Sequence, residues 1–267
     1  MYWIESKSVS AILFSFLLLI SAQCSNDVKK DHDKTKKTEK RSNLNTDEKI
    51  ARQVELELDI NASEKYELTI HKEYINEDTL LDALILVNRK QWAHERANKA
   101  ENKSFIEKTG FVGPYNHVFV KLGGEDQLLK TPHVGSAADY PLKSQFLSLT
   151  SLAHKDFYVN YRIRNSMHRN YYTVRNNRIY QTFSCPVFDS IGYEEPRVFA
   201  IRHEESSVRI SKDIAIYKGK IVGYDTSQIE NPNNYSPRQI IPLDELIVYF
   251  IFDGKSMKYK TPMVPPE

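Results

Sequence analysis

Chemistry in a folded chain needs a nucleophile beside a base, metal ligands at a set spacing, or carboxylates at a working distance. Cys185 stands in Phe183-Ser184-Cys185-Pro186 after a strand-like run, and as a nucleophile it would need His168 or His203 brought to it by the fold. Nothing local supplies that base, and unpaired cysteine is among the most buried residue types, so the sequence favours a core thiol. His94-Glu95 opens like a zinc-protease motif, but the position four after His94 is Asn98 and the second histidine is missing. His203-Glu204-Glu205 offers ligand types where a strand closes, and polar residues belong there anyway. His71, His117, His133 and His154 stand singly. Gly123-Gly124 and Gly110-Phe111-Val112-Gly113 lack the Lys-Ser/Thr of a phosphate loop, and Gly-X-Ser-X-Gly is absent. Glu194-Glu195 and Glu204-Glu205 are sequence neighbours, which fixes no distance in space. The sequence therefore offers no catalytic residue, no metal site and no cofactor.

The most informative stretch is 155–183. It holds Lys155, Arg162, Arg164, Arg169, Arg175 and Arg178 against one acid, Asp156, with Tyr158, Tyr161, Tyr171, Tyr172 and Tyr180 interleaved. With Asn176-Asn177 as a turn, Arg175 faces Arg178, and Tyr171, Thr173, Tyr180 and Thr182 share their side while Val174 and Ile179 point the other way. Opposed like charges destabilise a hairpin, so something must compensate. Acidic neighbours elsewhere in the fold, or plain solvent, would do. An anionic or glycan-like ligand held by arginine forks and tyrosine faces would also do, on a face of Arg162, Arg164, Tyr171, Arg175, Arg178 and Tyr180.

Periodicity supplies the elements that must carry these residues. Val54, Leu56, Leu58 and Ile60 alternate with acids as a half-buried strand does, and folded structure is expected from about Ile50. The rival is a helix opened by Asn45 and Glu48, with Ile50, Val54 and Leu58 on one side. Tyr66, Leu68 and Ile70 alternate again, which predicts a hairpin through 61–64. Residues 77–100 read as one long helix, capped by Asn76, with Leu80, Leu81, Leu84, Val87, Asn88 and Trp92 along one face. After it, Val118, Val120 and Leu122 alternate, as do Phe157, Val159, Tyr161 and Ile163. Asn176-Asn177, Lys218-Gly219 and Asp253-Gly254 read as two-residue hairpin turns. The expected fold is α+β, mainly antiparallel sheet with the 77–100 helix on one face. A β-sandwich with an inserted helix is the alternative.

The chain has 267 residues, a formal net charge of +2 and only two cysteines. Near-balanced charge disfavours a nucleic-acid partner, and two cysteines exclude a disulfide-stapled scaffold. Residues 9–22 form an apolar run too short for the roughly 20 residues a membrane-spanning helix needs, but suited to an export signal. Ser21, Ala22, Gln23 and Cys24 follow it directly. This segment resembles the lipobox of bacterial lipoproteins, although Gln23 replaces the usual small residue and the expected leucine is displaced to Leu19. The resemblance covers 1–24 and says nothing of the domain. It implies cleavage after residue 23 and a lipid anchor on Cys24. Ser25 then points to the outer membrane by the sorting habit of Gram-negative lipoproteins.

Residues 24–49 are charged and nearly free of aliphatics, so they read as a disordered tether of about 80 Å at full reach, followed by one mostly β domain over 50–267. The reading as a whole is an envelope lipoprotein held by lipid on Cys24. It would act as a non-enzymatic binding, accessory or structural module for an envelope glycan or protein partner. The alternatives are a hydrolase on envelope polymers, an inhibitor or immunity-type protein, and a soluble secreted or periplasmic domain.

Overall fold

A computed structural model of the chain describes residues 46–262. The export segment, Cys24 and the tether as far as residue 45 lie outside them. The fold opens on α1 (Thr46–Glu57), followed by β1 (Glu67–Glu73), β2 (Asp82–Asn88), α2 (Lys90–Asn98), α3 (Lys103–Thr109), β3 (Val112–Lys121), β4 (Leu128–Lys130) and β5 (Val134–Ala137). Then come β6 (Lys143–Leu147), β7 (Asp156–Ile163), β8 (Ser166–Arg175), β9 (Arg178–Asp189), β10 (Arg197–Glu204), β11 (Asp213–Ile221), β12 (Ile240–Asp253) and β13 (Lys258–Lys260). The strands form a smaller sheet ordered β1-β2-β3-β4, with β5 also on β3, and a larger one ordered β6 through β13. Every strand pair in both is antiparallel.

The first apolar run is a helix, not the expected strand, and it begins at Thr46 rather than Ile50. Ile50 and Val54 are buried one turn apart, while Leu56, which a strand would have turned inward, is 68% exposed. Asp47 and Glu48 lie in the first turn, where the helix dipole favours negative charge. The helical face packs on Ala83, Ile85, Val87 and Phe119 of the smaller sheet.

The expected 77–100 helix is the larger correction. Residues 82–88 are a central strand, buried at every position, and only Lys90–Asn98 is helical. α1 covers one face of β2 and the larger sheet covers the other. An apolar residue is therefore favoured at every position, and the period-2 signal disappears. Leu80 and Leu81 stay in the preceding loop, half-exposed. The hairpin expected through 61–64 is likewise replaced by the turn joining α1 to β1, and β1 pairs with β2.

The opposite face of the smaller sheet packs on the larger. Leu84, Leu86, Val118 and Val120 meet Phe157, Val159, Tyr172 and Val174 in one core. A second core lies on the other face of β7–β9, where Tyr158, Tyr171 and Cys185 meet Ile214, Ile216 and Tyr259 from the curled-over C-terminal half. The chain is thus mostly antiparallel sheet in packed layers, with helices short and peripheral.

Of the three expected turns, Asn176-Asn177 forms, with φ of 49° and 55° and Arg175 opposite Arg178. Lys218-Gly219 does not turn at all, since both lie inside β11. A Cβ on Gly219 would come within 3.0 Å of Ile240 and Val198, so glycine serves close strand approach there. Asp253-Gly254 opens a longer loop, 254–257, in which Met257 takes the positive φ. Across that loop Phe252 stands opposite Tyr259.

Three strands start in the same way. Asp82, Asp156 and Asp213 each open a strand, are each buried, and each close a loop of equal length: 74–81, 148–155 and 205–212. The Asp82 carboxylate accepts the amides of Ile75 at 2.8 Å, Asn76 at 3.2 Å and Gly123 at 2.8 Å. Asp156 accepts those of Leu149 at 2.9 Å and Thr150 at 2.6 Å. Asp213 instead takes two hydrogen bonds from Arg209, at 2.8 and 2.9 Å, and one from the Tyr249 hydroxyl.

Candidate functional site

The six residues expected to form a binding face are not brought together. Tyr171 is fully buried in the second core. Arg162 is buried at the far end of β7, donating to the carbonyls of Tyr235 at 2.8 Å, Asn233 at 3.0 Å and Arg164 at 3.0 Å. It thus serves as an internal strut for the 232–235 loop. Arg164 is exposed in the β7–β8 turn, at the opposite end of β8 from Arg175. Arg175 donates to Glu77 at 3.1 Å and to His154 Nδ1 at 2.8 Å, so an acidic neighbour offsets its opposition to Arg178. Arg178 is exposed and Tyr180 half-buried. The alternation put Tyr171, Thr173, Arg175, Arg178 and Tyr180 on one face, but a bulge between Gln181 and Phe183 sets Phe183, not Thr182, opposite Tyr171. Alternation could not say that one face of β8 and β9 is an interior.

The residue that the basic run supplies to a cleft is Arg169. β9 and β10 pair only at Asp189–Arg197 and Phe188–Val198, then diverge. Between them opens a cleft of about 330 Å³ lined by Arg169, Val187, Phe199, Ile201, Arg202 and Pro242. β8 presents Arg169 there because its neighbours across β7 match it in register, Asn160 opposite Arg169 and Tyr158 opposite Tyr171. The Arg169 Nε donates to Asn160 Oδ1 at 2.8 Å, and the guanidinium lies 3.8 Å above the Tyr158 ring. Its Nη1 reaches the Tyr171 hydroxyl at 3.4 Å, which meets His203 Nε2 at 3.0 Å. Among the described residues, no carboxylate pairs with Arg169 and its Nη2 makes no protein hydrogen bond.

His203, Tyr171 and Cys185 beside that cation are held in their neutral forms, while Arg202 adds a second positive charge to the cleft lining. Burial, helped by the Arg169 and Lys212 charges, brings His203 down to about 4. Burial pushes the Tyr171 hydroxyl well above the ordinary phenol range. Burial also takes the Cys185 thiol up to about 12, opposed only by Arg169, and a thiol so held is not a thiolate nucleophile. One fixed, partly desolvated guanidinium ringed by aromatic and aliphatic walls suits recognition of an anionic group.

The other candidates are held by local contacts. His94 bonds Asp139 at 2.9 Å and stacks on Phe111, with Lys90 at 3.1 Å from the same carboxylate. Glu204 accepts from Tyr217 at 2.9 Å and Glu205 pairs with Lys212 at 2.6 Å. His154 is buried with its Nε2 unpaired, 3.8 Å from Asp156. Among the described residues no group of three histidine, cysteine or acidic side chains is placed to hold a metal, and no helix is long and apolar enough to cross a membrane.

The chain matches no protein-family model, no curated protein and no solved structure. The functional reading therefore stands on its own residues. The sequence contained Arg169 but gave it no special mark. Its signal is the Arg164-Asn165 turn, which fixes the register that sets Asn160 and Tyr158 beside it.

Proposed function

We propose that this protein is a lipid-anchored envelope lipoprotein, tethered through Cys24 and favouring the outer membrane. Its domain acts as a non-enzymatic binding module for an anionic group on an envelope glycan or protein. The observation that carries the binding reading is a pre-positioned Arg169 in a walled cleft, without a carboxylate of its own. Asn160 and Tyr158 fix the guanidinium plane before any ligand arrives, so little ordering cost remains on binding. The short apolar run ending at Cys24 supports the anchor, since several acyl chains on one residue hold a membrane stably.

Thermal unfolding with glucuronate and with inorganic phosphate as probes tests the cleft. A ligand present at a hundredfold its Kd stabilises by about 2.7 kcal/mol, a rise of several degrees for a domain this size. That rise is expected in the native protein, reduced in Arg169→Lys, and absent in Arg169→Met. A rise that survives Arg169→Met discards the site. Metabolic labelling with a fatty-acid probe, with Cys24→Ala as control, tests the anchor independently.

A further inference from the structure

The three loops of equal length share an end of the molecule and a composition. Their exposed side chains include Tyr74, Leu80, Leu81, Leu152, Val208 and Ile210. Val208 at 80%, Leu152 at 76% and Ile210 at 71% are the most exposed large hydrophobics among the described residues. Scattered apolar residues are ordinary on a protein surface, but a cluster on adjoining loops marks an interaction site. These loops do adjoin. The Lys155 amide donates to the Tyr74 carbonyl at 2.9 Å, and the Lys212 amide donates to the Leu149 carbonyl at 2.7 Å. The buried aspartates anchor each loop at its base, so the apolar tips project from fixed supports. Charges around them are largely cancelled in place, Arg175 by Glu77 at 3.1 Å and Lys212 by Glu205 at 2.6 Å.

α1 enters the domain at this same end. Asp47 in its first turn pairs with Lys72 at 3.0 Å, and β1 runs from Lys72 directly into loop 74–81. The chain between Cys24 and α1 spans at most on the order of 70 Å, so an anchored Cys24 keeps this end within reach of a bilayer. We propose that the three-loop end rests on the lipid surface, with Leu152, Val208 and Ile210 inserted among the headgroups. The contact is apolar and needs no anionic lipid. Its orientation rests on the anchor proposed above, while the contact itself does not.

The test uses the full chain, isolated from cells and reconstituted on phosphatidylcholine vesicles containing brominated lipid. Leu152→Trp and Ile210→Trp place reporters on the loops. Tyr193→Trp places one between β9 and β10, at the other end of the larger sheet, and emission is corrected for the native tryptophans. Quenching at 152 and 210 is expected to exceed that at 193 at least twofold and to be unchanged by added salt. Adding Val208→Asp and Ile210→Asp to the Leu152→Trp chain should abolish it. Equal quenching at all three positions, or none at 152 and 210, overturns the proposal and leaves the cluster to a protein partner. The mass of the mature amino terminus reads the anchor separately. Quenching with an unmodified terminus removes the anchor alone, and an acylated Cys24 without quenching removes the lipid contact alone.

Discussion

Asp156 carries more of the fold than its exposure or sequence context implies. Its carboxylate is the acceptor for the buried Leu149 amide and for the part-buried Thr150 amide and hydroxyl. Removing an acceptor leaves each buried donor unpaired at about 1–3 kcal/mol. Asp156→Ala is therefore expected to cost on the order of 2–4 kcal/mol, read as a fall in the urea midpoint at constant slope, and Asp156→Asn less. Histidines lowered by burial set the acid limb of stability, His154 and His168 among them and His117 and His203 most strongly. Burial, aided by neighbouring positive charge, holds both His117 and His203 at about 4. The unfolded chain binds their protons from about pH 6.5 downward, so the histidine contribution to stability falls between about pH 6.5 and 4 and is constant below. Carboxylates held low, such as Asp253 by Lys260, begin to count only below about pH 5. His203→Gln should make the decline above pH 5 shallower in a pH series of urea midpoints. A decline that starts only below pH 5 would contradict the assignment. At this scale the sequence was legible where a side chain acts through near neighbours, as Arg175 and Arg178 do across their turn. It placed Arg162 and Tyr171 on a surface where the fold buries them, and left Arg169 unmarked, because the surroundings of all three come from segments far along the chain.

The elements were read best where the two faces of a strand carry different residue types. β7 and the 176–177 hairpin keep their alternation because one face is apolar, with Phe157, Val159, Val174 and Ile179, while the other carries Tyr158, Asn160, Thr173 and Arg175. β2 was misread for the opposite reason: with both faces covered, Leu84, Ile85, Leu86 and Val87 form an unbroken apolar run that fits a helix as well. α1 was misread because its acids fall between aliphatics at both periods, and only packing on the sheet decides which aliphatics are inner. That packing gives a paired prediction. Val54→Ala should cost about 1–3 kcal/mol, since Val54 is fully buried against the smaller sheet, whereas Leu56→Ala on the exposed side should stay within about 0.5 kcal/mol. Equal costs in chemical denaturation would return the segment to a strand-like environment.

At the scale of the molecule, the same unit occurs three times: a hairpin, a loop of fixed length, a buried aspartate and a further antiparallel strand. Only the aspartate is common to all three in sequence. The spacing between copies is irregular, so the repetition is a property of backbone geometry and left no readable period. The two halves of the larger sheet meet through a narrow backbone seam at Asp189–Arg197 and Phe188–Val198. Beyond it, β9 and β10 run apart with the Arg169 cleft between them. With so few backbone pairs between these two strands, whatever fills the gap becomes a crossbeam between the halves. Occupancy would then register far from the guanidinium itself, as slowed amide exchange along both strands that border the opening.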